Sequence, residues 1–323
     1  MLKLSIKSKL LLMLLSVSLV AVGVITALAF QSGKRALTGR IFDQLTSVRA
    51  SKADQIETYL ESVKSQVKMF GEDLMISQAA QHFSAAFEAL DQQSISPDWD
   101  ARVDEYYRSE FLPRLQENVE GRPVFETYRP TQAATRHLQY HYLAANPHPV
   151  GKKHELVDPA DGSRYSAVHA EYHPIFRNLA KEFGYYDIFL IDPRSGTIVY
   201  SVYKETDFAT SLRDGPYSNT NLAALVQTVR ETPDRGFVRM IDFAPYRPSY
   251  AAPAAFVATP IYDGSRNVGV LAMQLPVDEI NRIMTGGRSW QRDGLGASGE
   301  TYLVGPDRLM RSVSRFLVDD PEG

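Results

Sequence analysis

Two pairs of histidines are the residues in this sequence best spaced for metal chemistry. His137 is followed by His141, and His169 by His173, so each pair is four residues apart. On a helix this spacing puts both imidazoles on one face, which is how helical metal sites are often built. The same spacing also occurs when histidines pack in a core or cap a helix, and we favour that structural role. Metal or haem binding by the two pairs is the alternative.

The second pair lies in a segment that superficially resembles a metalloprotease motif. In His169-Ala170-Glu171-Tyr172-His173 the glutamate stands one position later than in HExxH. The sequence also has no Walker loop and no GxSxG. It contains no cysteine, which excludes thiolate nucleophiles, disulfides and cysteine-bound zinc. We therefore predict that the chain is not an enzyme and holds no cofactor.

Single aspartates are spread over the second half of the chain, at Asp187, Asp192, Asp207, Asp242 and Asp263. No two of them have the local context of a general acid and a general base. Isolated aspartates commonly form turns, because their side chains accept hydrogen bonds from the nearby backbone. We expect most of these residues to form turns or to be exposed.

A small-molecule pocket is the better supported hypothesis, because aromatic residues are dense in the strand-rich region between residues 185 and 275. Apolar walls with a few placed polar groups are what small-ligand recognition requires. About half of these aromatic residues are expected to be ordinary core. The predicted ligand-binding residues are Tyr185, Tyr200, Tyr203, Lys204, Tyr246, Arg247, Phe256, Thr259, Asp263 and Gln274.

The elements that must position these residues are strands and one helix. Ile188–Ile191 and Thr197–Tyr203 flank Asp192-Pro193-Arg194-Ser195-Gly196, whose turn residues predict a β-hairpin. A helix capped by Asn219 or Thr220 follows, with Leu222, Leu225, Val226 and Val229 on one face. Further strands are predicted at Gly236–Phe243, Ala255–Tyr262 and Val268–Leu275. This order indicates an α+β fold, an antiparallel sheet with a helix on one face.

The N-terminus carries an uncharged apolar run, Leu10–Phe30, which is long enough to cross a hydrocarbon core of about 30 Å as a helix. Lys3, Lys7 and Lys9 precede it, so the positive-inside rule places the N-terminus in the cytoplasm. Ala27-Leu28-Ala29 also fits a signal-peptide cleavage site, which leaves a cleaved signal peptide as the alternative. We favour an uncleaved single-pass anchor in the bacterial inner membrane.

Beyond the apolar run, small or apolar residues recur every three or four positions up to Leu74, interrupted by Lys52. This spacing predicts a long helix with one apolar stripe, which packs on its own domain, on a second copy, or on both. We expect a homodimer through its membrane-proximal part.

The following region, 77–183, reads as mainly helical. One helix is expected to start at Asp161-Gly162-Ser163, to kink or restart at Pro174, and to stop at Gly184.

Three stretches carry a resemblance to a known family. GYYDIFLIDPRSGTIVYSVYKETDF, TPIYDGSRNVGVLAMQL and GETYLVGPDRLMRS together resemble the periplasmic double Cache (dCache) sensor domains of bacterial transmembrane receptors. The resemblance implies two PAS-like lobes on a long helix, with the ligand usually in the membrane-distal lobe. It implies chemotaxis, histidine kinase or nucleotide cyclase output modules as partners, and none is encoded here.

The resemblance divides the chain into six parts. These are a cytoplasmic N-terminus (1–9), a transmembrane helix (10–30), a long signalling helix (31–76), a helical region of the sensor (77–183), a membrane-distal PAS-like lobe (184–285) and an incomplete membrane-proximal lobe (286–323). In the last part, strands are expected at Thr301–Val304 and Leu309–Ser312. The incomplete second lobe suggests a truncated gene product, and a non-signalling remnant is a further alternative.

The ligand class is also addressed by the resemblance. In family members that recognise amino acids, it implies one aspartate shortly after a tyrosine and another at the end of a GVxxxD strand. Here Tyr246 is kept, but Pro248 and Gln274 stand where the acids are expected. An amine ligand would then lose both anionic partners. Arg247, Lys204 and Gln274 instead suggest an anionic or neutral ligand.

Composition limits the remaining possibilities. The formal net charge is −3, so no overall basic field exists and nucleic acid is not an expected partner. The sequence therefore predicts a membrane-anchored extracytoplasmic sensor of a small-molecule ligand.

Overall fold

The first helix, α1, runs without a break from Ile6 to Gly71. Among the described residues it is the one helix long and apolar enough to cross a membrane, and its most apolar window is 0% buried by the rest of the protein. Exposed leucine and valine side chains line the whole of Leu10–Phe30. The apolar run is thus helical and uncovered, as a lipid-facing segment would be.

The computed structural model describes residues 5–232 and 234–319, so Lys3 and residues 320–323 lie outside the described residues. The chain divides into two compact units. The first takes in the described residues of Met1–Ile56, Arg282–Tyr302 and Ser314–Gly323, and the second comprises Glu57–Asn281 and Leu303–Val313.

Helices account for most of the regular structure, as the sequence predicted for 77–183. After α1 they are α2 (Leu74–Asp91), α3 (Pro97–Tyr106), α4 (Leu112–Gln116), α5 (Phe125–Tyr128), α6 (Ala133–Gln139), α7 (Arg164–Phe183), α8 (Asn221–Glu231), α9 (Val277–Met284) and α10 (Arg315–Asp319). Two π-helical segments, Tyr107–Phe111 and Tyr140–Ala144, continue α3 and α6.

The second unit contains a five-stranded antiparallel sheet in the order β2-β1-β5-β4-β3. Its strands are β1 (Asp187–Ile191), β2 (Ile198–Ser201), β3 (Arg239–Tyr246), β4 (Ala252–Asp263) and β5 (Arg266–Leu275). The predicted hairpin, helix and three later strands are all present, and the α+β fold class is confirmed. The third strand begins and ends three residues later than expected.

Side-chain chemistry explains the hairpin between β1 and β2. Asp192 Oδ1 accepts hydrogen bonds from the backbone N–H groups of Arg194 and Ser195, at 3.0 and 2.7 Å. Gly196 has φ of +73°, a left-handed conformation that glycine adopts without strain. Asp192 therefore forms a turn, as predicted.

The two faces of the sheet bury separate hydrophobic clusters. One face, here called the α7 face, packs residues such as Leu190, Val257 and Leu271 with α2, α7 and the end of α1. The other, the α8 face, packs Phe189 and Phe256 with α8 and with the helical segments between α3 and α5. Both faces are covered, so the strands are buried on both sides.

Two expectations about helices need correction. The helix α7 is capped by Ser163 and ends at Gly184 as predicted, but it does not restart at Pro174. Buried side chains on both sides of the proline, among them Tyr172 and Phe176, hold the helix against the core. In the apolar stripe, Leu74 is exposed, because α1 ends at Gly71 and α2 begins a new direction at residue 74.

Lys52, which interrupts the stripe of α1, has a partner inside the first unit. Its Nζ forms an ion pair with Asp293 at 2.8 Å and donates to the carbonyl of Ile283 at 2.9 Å. A buried lysine is tolerated here because its charge and its hydrogen bonds are both satisfied.

Residues 301–312 form a turn and a single bridge instead of the two expected strands. Val304 and Met310 make an isolated antiparallel bridge, and Gly305 N–H donates to the Leu309 carbonyl at 2.9 Å. Arg311 then pairs with Asp242 on β3 at 2.9 Å. Among the described residues no further strand pairs with this segment, and an isolated hairpin is barely stable in water.

Candidate functional site

The predicted ligand-binding residues do not line one pocket, because they lie on both faces of the sheet. Tyr200 is buried on the α7 face, where its hydroxyl bonds His173 Nδ1 at 2.8 Å. Thr259 also points to that side, since its Cγ2 would lie 2.6 Å from a Cβ placed on Gly71. Tyr246 and Phe256 pack together on the α8 face with ring centroids 5.0 Å apart.

Two predicted residues are exposed. Arg247 follows β3 on the surface, and Asp263 lies in the β4–β5 turn beside Arg266 at 3.5 Å. The strand β5 begins beside this turn at Arg266, and Gln274 lies eight residues further along it. In an extended strand that is a separation of about 27 Å. Asp263 and Gln274 therefore belong to opposite ends of the sheet.

Tyr185 and Tyr203 line a separate cleft of about 680 Å³ beside α7, together with His154, Arg177 and Lys181. Tyr203 stacks on Tyr186 with ring centroids 4.8 Å apart. The Tyr185 hydroxyl donates to Gln66 Oε1 at 2.9 Å.

A cluster of three carboxylates lies at the start of β1 and in the segment after β2, and we call it the acidic cluster: Asp187, Glu205 and Asp207. Asp187 and Asp207 are fully buried and Glu205 is half-buried. Most of the single aspartates were expected to form turns or to be exposed. Asp207 lies in a turn, where Thr210 N–H donates to its carbonyl at 3.0 Å, but its side chain is buried. Its segment folds back into the protein instead of running over the surface.

Asp187 organises the start of this segment. Its Oδ1 accepts hydrogen bonds from the backbone N–H groups of Val202 and Tyr203, at 2.8 and 3.1 Å, and its Oδ2 accepts from the Ser201 hydroxyl at 2.9 Å. Burial raises the pKa of Asp187, although these hydrogen bonds oppose the shift. Asp187 is therefore a loop-forming residue, but a buried one.

Glu205 and Asp207 are held by hydroxyl groups. Glu205 accepts hydrogen bonds from Tyr186 and Ser249, and Asp207 Oδ2 accepts one from Tyr246. Burial, with the neighbouring negative charges, raises the pKa of Glu205 to about 8 and that of Asp207 to about 7.

Lys204 is buried beside the acidic cluster, inside a cage of aromatic rings. Its Nζ lies 4.7 Å from the ring centre of Tyr200 and 5.4 Å from that of Phe208. It donates to the carbonyls of Ser201 and Val202. Burial lowers the pKa of Lys204, while the Asp187 carboxylate opposes that shift. Lys204 is thus occupied by the protein itself.

The helical region fixes the backbone of the same segment. Gln139 on α6 donates to the carbonyls of Thr206 and Phe208 at 3.0 and 2.9 Å, and it accepts from the Tyr107 hydroxyl at 2.9 Å. Thr135 donates to the Ala209 carbonyl at 2.6 Å. One structural role of the helical region is therefore to hold the acidic cluster in place.

Two buried acceptors in this part of the molecule have no hydrogen-bond partner among the described residues. They are Asp207 Oδ1 and Gln274 Oε1. Gln274 lies on β5 directly opposite Asp187 on β1 and Phe256 on β4. Buried polar atoms are nearly always paired, so the arrangement can accept hydrogen bonds from a donor that the chain does not supply.

Some residues in and around the acidic cluster were among the predicted ligand-binding residues, and others were not. Tyr246, Lys204 and Gln274 were predicted, whereas Asp207 was assigned to turns and Glu205 was not considered. One available signal was the run Lys204-Glu205-Thr206-Asp207, where charged residues directly follow a strongly apolar strand. Charges at such a place are often functional when they are buried.

The second histidine pair serves the core. His169 and His173 are fully buried and stack with ring centroids 4.2 Å apart. His169 Nδ1 lies 2.7 Å from the Val157 carbonyl, and His173 Nε2 lies 2.7 Å from the His154 carbonyl. Both nitrogens of His173 are thereby occupied by protein groups, which favours the structural role expected for this pair.

Comparison with known proteins gives distant similarities of fold. No protein-family model and no curated protein matches the sequence. The ligand-binding domain of the Campylobacter jejuni chemoreceptor Tlp3, in complex with 4-methylisoleucine, aligns with a TM-score of 0.32 and 10% identity over 75% of this chain and 74% of that one.

Two further solved structures are similar to the same extent. The sensor domain of the V. cholerae histidine kinase DctB has a TM-score of 0.28 and 14% identity over 58% of this chain and 60% of that one. The ligand-binding domain of the Pseudomonas fluorescens chemoreceptor CtaA, in complex with L-serine, has a TM-score of 0.29 and 10% identity over 70% and 74%. All three structures are ligand-binding or sensor domains of chemoreceptors or of a histidine kinase.

Proposed function

We propose that this chain is a membrane-anchored extracytoplasmic sensor that binds a small molecule bearing a cationic amine. The acidic cluster supplies the anionic partners, and α1 anchors the sensor in the bacterial inner membrane with the sensing part in the periplasm. The uncovered apolar helix supports the anchor, and the sheet with buried polar groups on its α8 face supports the binding role.

The observation that carries the proposal is the pair of unpartnered acceptors, Asp207 Oδ1 and Gln274 Oε1. A buried acceptor without a donor costs about 1–3 kcal/mol, so a ligand that donates hydrogen bonds there recovers that free energy. An ammonium group has three N–H donors and a positive charge, and both match a site with three nearby carboxylates.

This ligand class differs from the one that the sequence suggested. The absence of acids at Pro248 and Gln274 favoured an anionic or neutral ligand, but Asp187, Glu205 and Asp207 bring carboxylates to the same end of the sheet from other positions. Lys204, which was expected to bind an anion, is enclosed by aromatic rings and by carbonyls of its own loop. An anion would compete with carboxyl groups for the same hydrogen-bond donors.

Signalling requires a ligand that binds two arrangements of the protein with different affinities. The end of α1 packs into the core on the α7 face through Val63, Val67 and Phe70. Because α1 is one continuous helix, a change in this packing alters the position of the helix that enters the membrane. We propose that a homodimer of this helix passes the change to an output module outside residues 1–323, of the chemotaxis, kinase or cyclase type.

The division into sensor parts is included in this proposal. Residues 184–285 form the ligand-binding lobe, 77–183 its supporting helices, and 286–323 part of a second lobe.

The test is ligand-dependent thermal unfolding of the full chain in detergent, with amino acids, amines and diamines compared with dicarboxylates. A ligand at 100 times its dissociation constant stabilises the folded state by about 2.7 kcal/mol, which raises the melting temperature measurably. Asp207→Asn should weaken amine binding by about 10–100-fold, since it removes a charge-assisted hydrogen bond.

Asp263→Asn is the matched control, because it removes an exposed acid at the far turn of the sheet. It should bind amines as the unchanged chain does. Stabilisation by dicarboxylates and by no amine would reject the amine class. A folded chain that no small molecule stabilises would reject the sensor function as a whole.

A further inference from the structure

We propose that His137, His141 and Asp161 form a binding site for a divalent transition-metal ion, with Zn²⁺ as the ion that fits the donor set best. The site lies apart from the acidic cluster and is independent of the sensor function proposed above. It uses one histidine from α6, one from the π-helical segment that follows, and one aspartate from the loop before α7.

The three donor groups already converge. His137 Nε2 lies 3.0 Å from Asp161 Oδ2, and His141 Nε2 lies 3.8 Å from the same oxygen. One ligand atom from each residue can be chosen so that all lie within 4.8 Å of one another. Ligands of tetrahedral zinc, at about 2.0–2.1 Å from the ion, are about 3.3 Å apart. Small side-chain rotations therefore suffice to close the site.

One donor nitrogen makes no hydrogen bond within the described part of the chain. His141 Nε2 is buried and makes no hydrogen bond with any described residue, although it faces the Asp161 carboxylate. An imidazole nitrogen in this position is available as a metal ligand. In the other pair, both nitrogens of His173 are hydrogen-bonded, so that pair does not offer the same donor set.

The surroundings hold the donors in orientation. The side chain of Asp161 is 1% exposed, and its Oδ1 accepts a hydrogen bond from Ser163 N–H at 3.0 Å, which leaves Oδ2 for the site. Trp99 packs edge-on against both imidazoles, with ring centroids 5.5 Å from His137 and 4.8 Å from His141. Groups that fix metal ligands in this way are a regular feature of metal sites.

The site is reachable from solvent and has an open position. The side chains of His137 and His141 are 12% and 11% exposed, which allows an ion to enter. Two histidines and one carboxylate leave the fourth tetrahedral position to water or to another ligand. The local π-helix is consistent with a functional site, because such segments are rare and often occur where ligands bind.

A metal ion here would tie α6 to the start of α7. The loop carrying Asp161 leads directly into Ser163, the N-cap of α7. Metal binding would therefore stabilise the helical region that also holds the acidic cluster through Gln139.

The test is zinc binding by the full chain in detergent, purified with a tag that contains no histidine. After equilibrium dialysis against Zn²⁺ and gel filtration, we expect one zinc per chain by elemental analysis and a raised melting temperature. Co²⁺ should give the visible absorption of a tetrahedral site. His141→Phe keeps an aromatic ring against Trp99 and should lower zinc affinity by more than the roughly 10–100-fold that loss of an outer-shell partner costs.

Asp161→Asn gives an independent check, because its side-chain oxygen can still accept from Ser163 N–H while the charged ligand is lost. His148→Phe is the control, since His148 belongs to an exposed pair with Glu155 and should leave zinc binding unchanged. Circular dichroism verifies that each variant is folded. Absence of stoichiometric zinc in the unchanged chain, or equal zinc binding by Asp161→Asn, would overturn the proposal.

Discussion

Burial controls the protonation of the acidic cluster. The pKa of Asp207 is raised to about 7 and that of Glu205 to about 8, because each carboxylate loses hydration and lies near other negative charges. At neutral pH the cluster therefore holds protons that exposed carboxyl groups would have released. A bound ammonium group would favour the ionised forms and release those protons.

A pH dependence of stability follows for Asp207. Its pKa rises from about 4 in the unfolded chain to about 7 in the folded protein. The folded state thus binds more protons between these values, and the stabilisation present below pH 4 is lost as pH rises through about 7. Asp207→Asn, which stays neutral, should gain stability relative to the unchanged chain from pH 5 to pH 8, measured by thermal unfolding.

Asp187, Glu205 and Lys204 are present in both proteins, but loss of the Asp207 charge also lowers the pKa of Glu205 in the variant, which adds to the pH dependence of the difference. Asp263→Asn removes an exposed carboxylate at the far turn of the sheet and is the control for loss of a carboxylate as such. A constant difference for Asp207→Asn would mean that Asp207 is already ionised at pH 5.

The burial of individual polar residues was harder to predict from the sequence than the helices and strands. Tyr246 and Gln274 were predicted from the density of aromatic residues and from the resemblance to dCache domains, and Tyr246 lies beyond the strand predicted at Gly236–Phe243. Asp207 was missed because its burial depends on Gln139 and Thr135, which lie on a helix far earlier in the chain. A local pattern of charges does not show which distant helix will cover it.

At the scale of elements, the approach of α1 to the sheet depends on a small residue. Gly71 is the last residue of α1, and a Cβ there would lie 2.6 Å from Thr259 Cγ2 and 3.0 Å from the Pro260 carbonyl oxygen. Real Cβ contacts are not this short, so helix or strand would have to move. The glycine allows close contact between the helix and β4.

Gly71→Ala should therefore lower the free energy of unfolding by about 1–3 kcal/mol, the usual cost of overpacking. Chemical denaturation of the full chain in detergent measures this change in the free energy of unfolding. Gly39→Ala is the control, because nothing lies within 4 Å of a Cβ at that position of α1. Alanine is the better helix former, so Gly39→Ala should leave stability unchanged or raise it by up to about 1 kcal/mol. Equal effects of the two changes would contradict the packing role of Gly71.

An ion network joins α3 to α6 and offers a second prediction. Arg136 is 3% exposed and pairs with Asp100 and Asp104, whereas Arg129 pairs with the same acids at 33% exposure. Burial lowers the pKa of Arg136 to about 10. Loss of one partner from a buried pair costs about 3–5 kcal/mol, and the partly exposed aspartates reduce this figure.

Arg136→Leu should thus destabilise the protein by about 2 kcal/mol or more, and Arg129→Leu by about 0–1 kcal/mol. Unfolding by urea compares the two variants directly. If Arg129→Leu proved the more costly change, the buried arginine would not be the residue that joins the helices.

Elements were the most predictable level of this structure. The hairpin, α8 and the strands β4 and β5 follow from turn residues and hydrophobic spacing, which are local. The junctions at Tyr107–Phe111 and Tyr140–Ala144 were not predicted, because a π-helix depends on how its side chains pack with other helices. The expected strands near residues 301–312 failed for a related reason, since a strand needs neighbours to pair with.

At the scale of the whole molecule, the charges on the two sides of the apolar run predict which end of the helix faces the cytoplasm. Lys7 and Lys9 precede the apolar run, and the helix continues without interruption into residues that pack on the α7 face of the sheet. Lys34, Arg35 and Arg40 follow the run and weaken the charge difference across it. Topology is therefore a prediction that needs its own measurement.

The chain contains no cysteine, so single cysteines report topology without background. We expect Ser109→Cys, at an exposed position of the helical region, to react with a membrane-impermeant maleimide in intact bacterial spheroplasts. Ser5→Cys should react only after the cells are lysed, because it lies before the apolar run. Labelling of Ser5→Cys in intact spheroplasts would show that the N-terminus lies outside the cytoplasm. The acidic cluster would then not lie in the periplasm. Release of a soluble chain that has lost residue 5 would show instead that the apolar run is a cleaved signal peptide, and that α1 transmits no signal across the membrane.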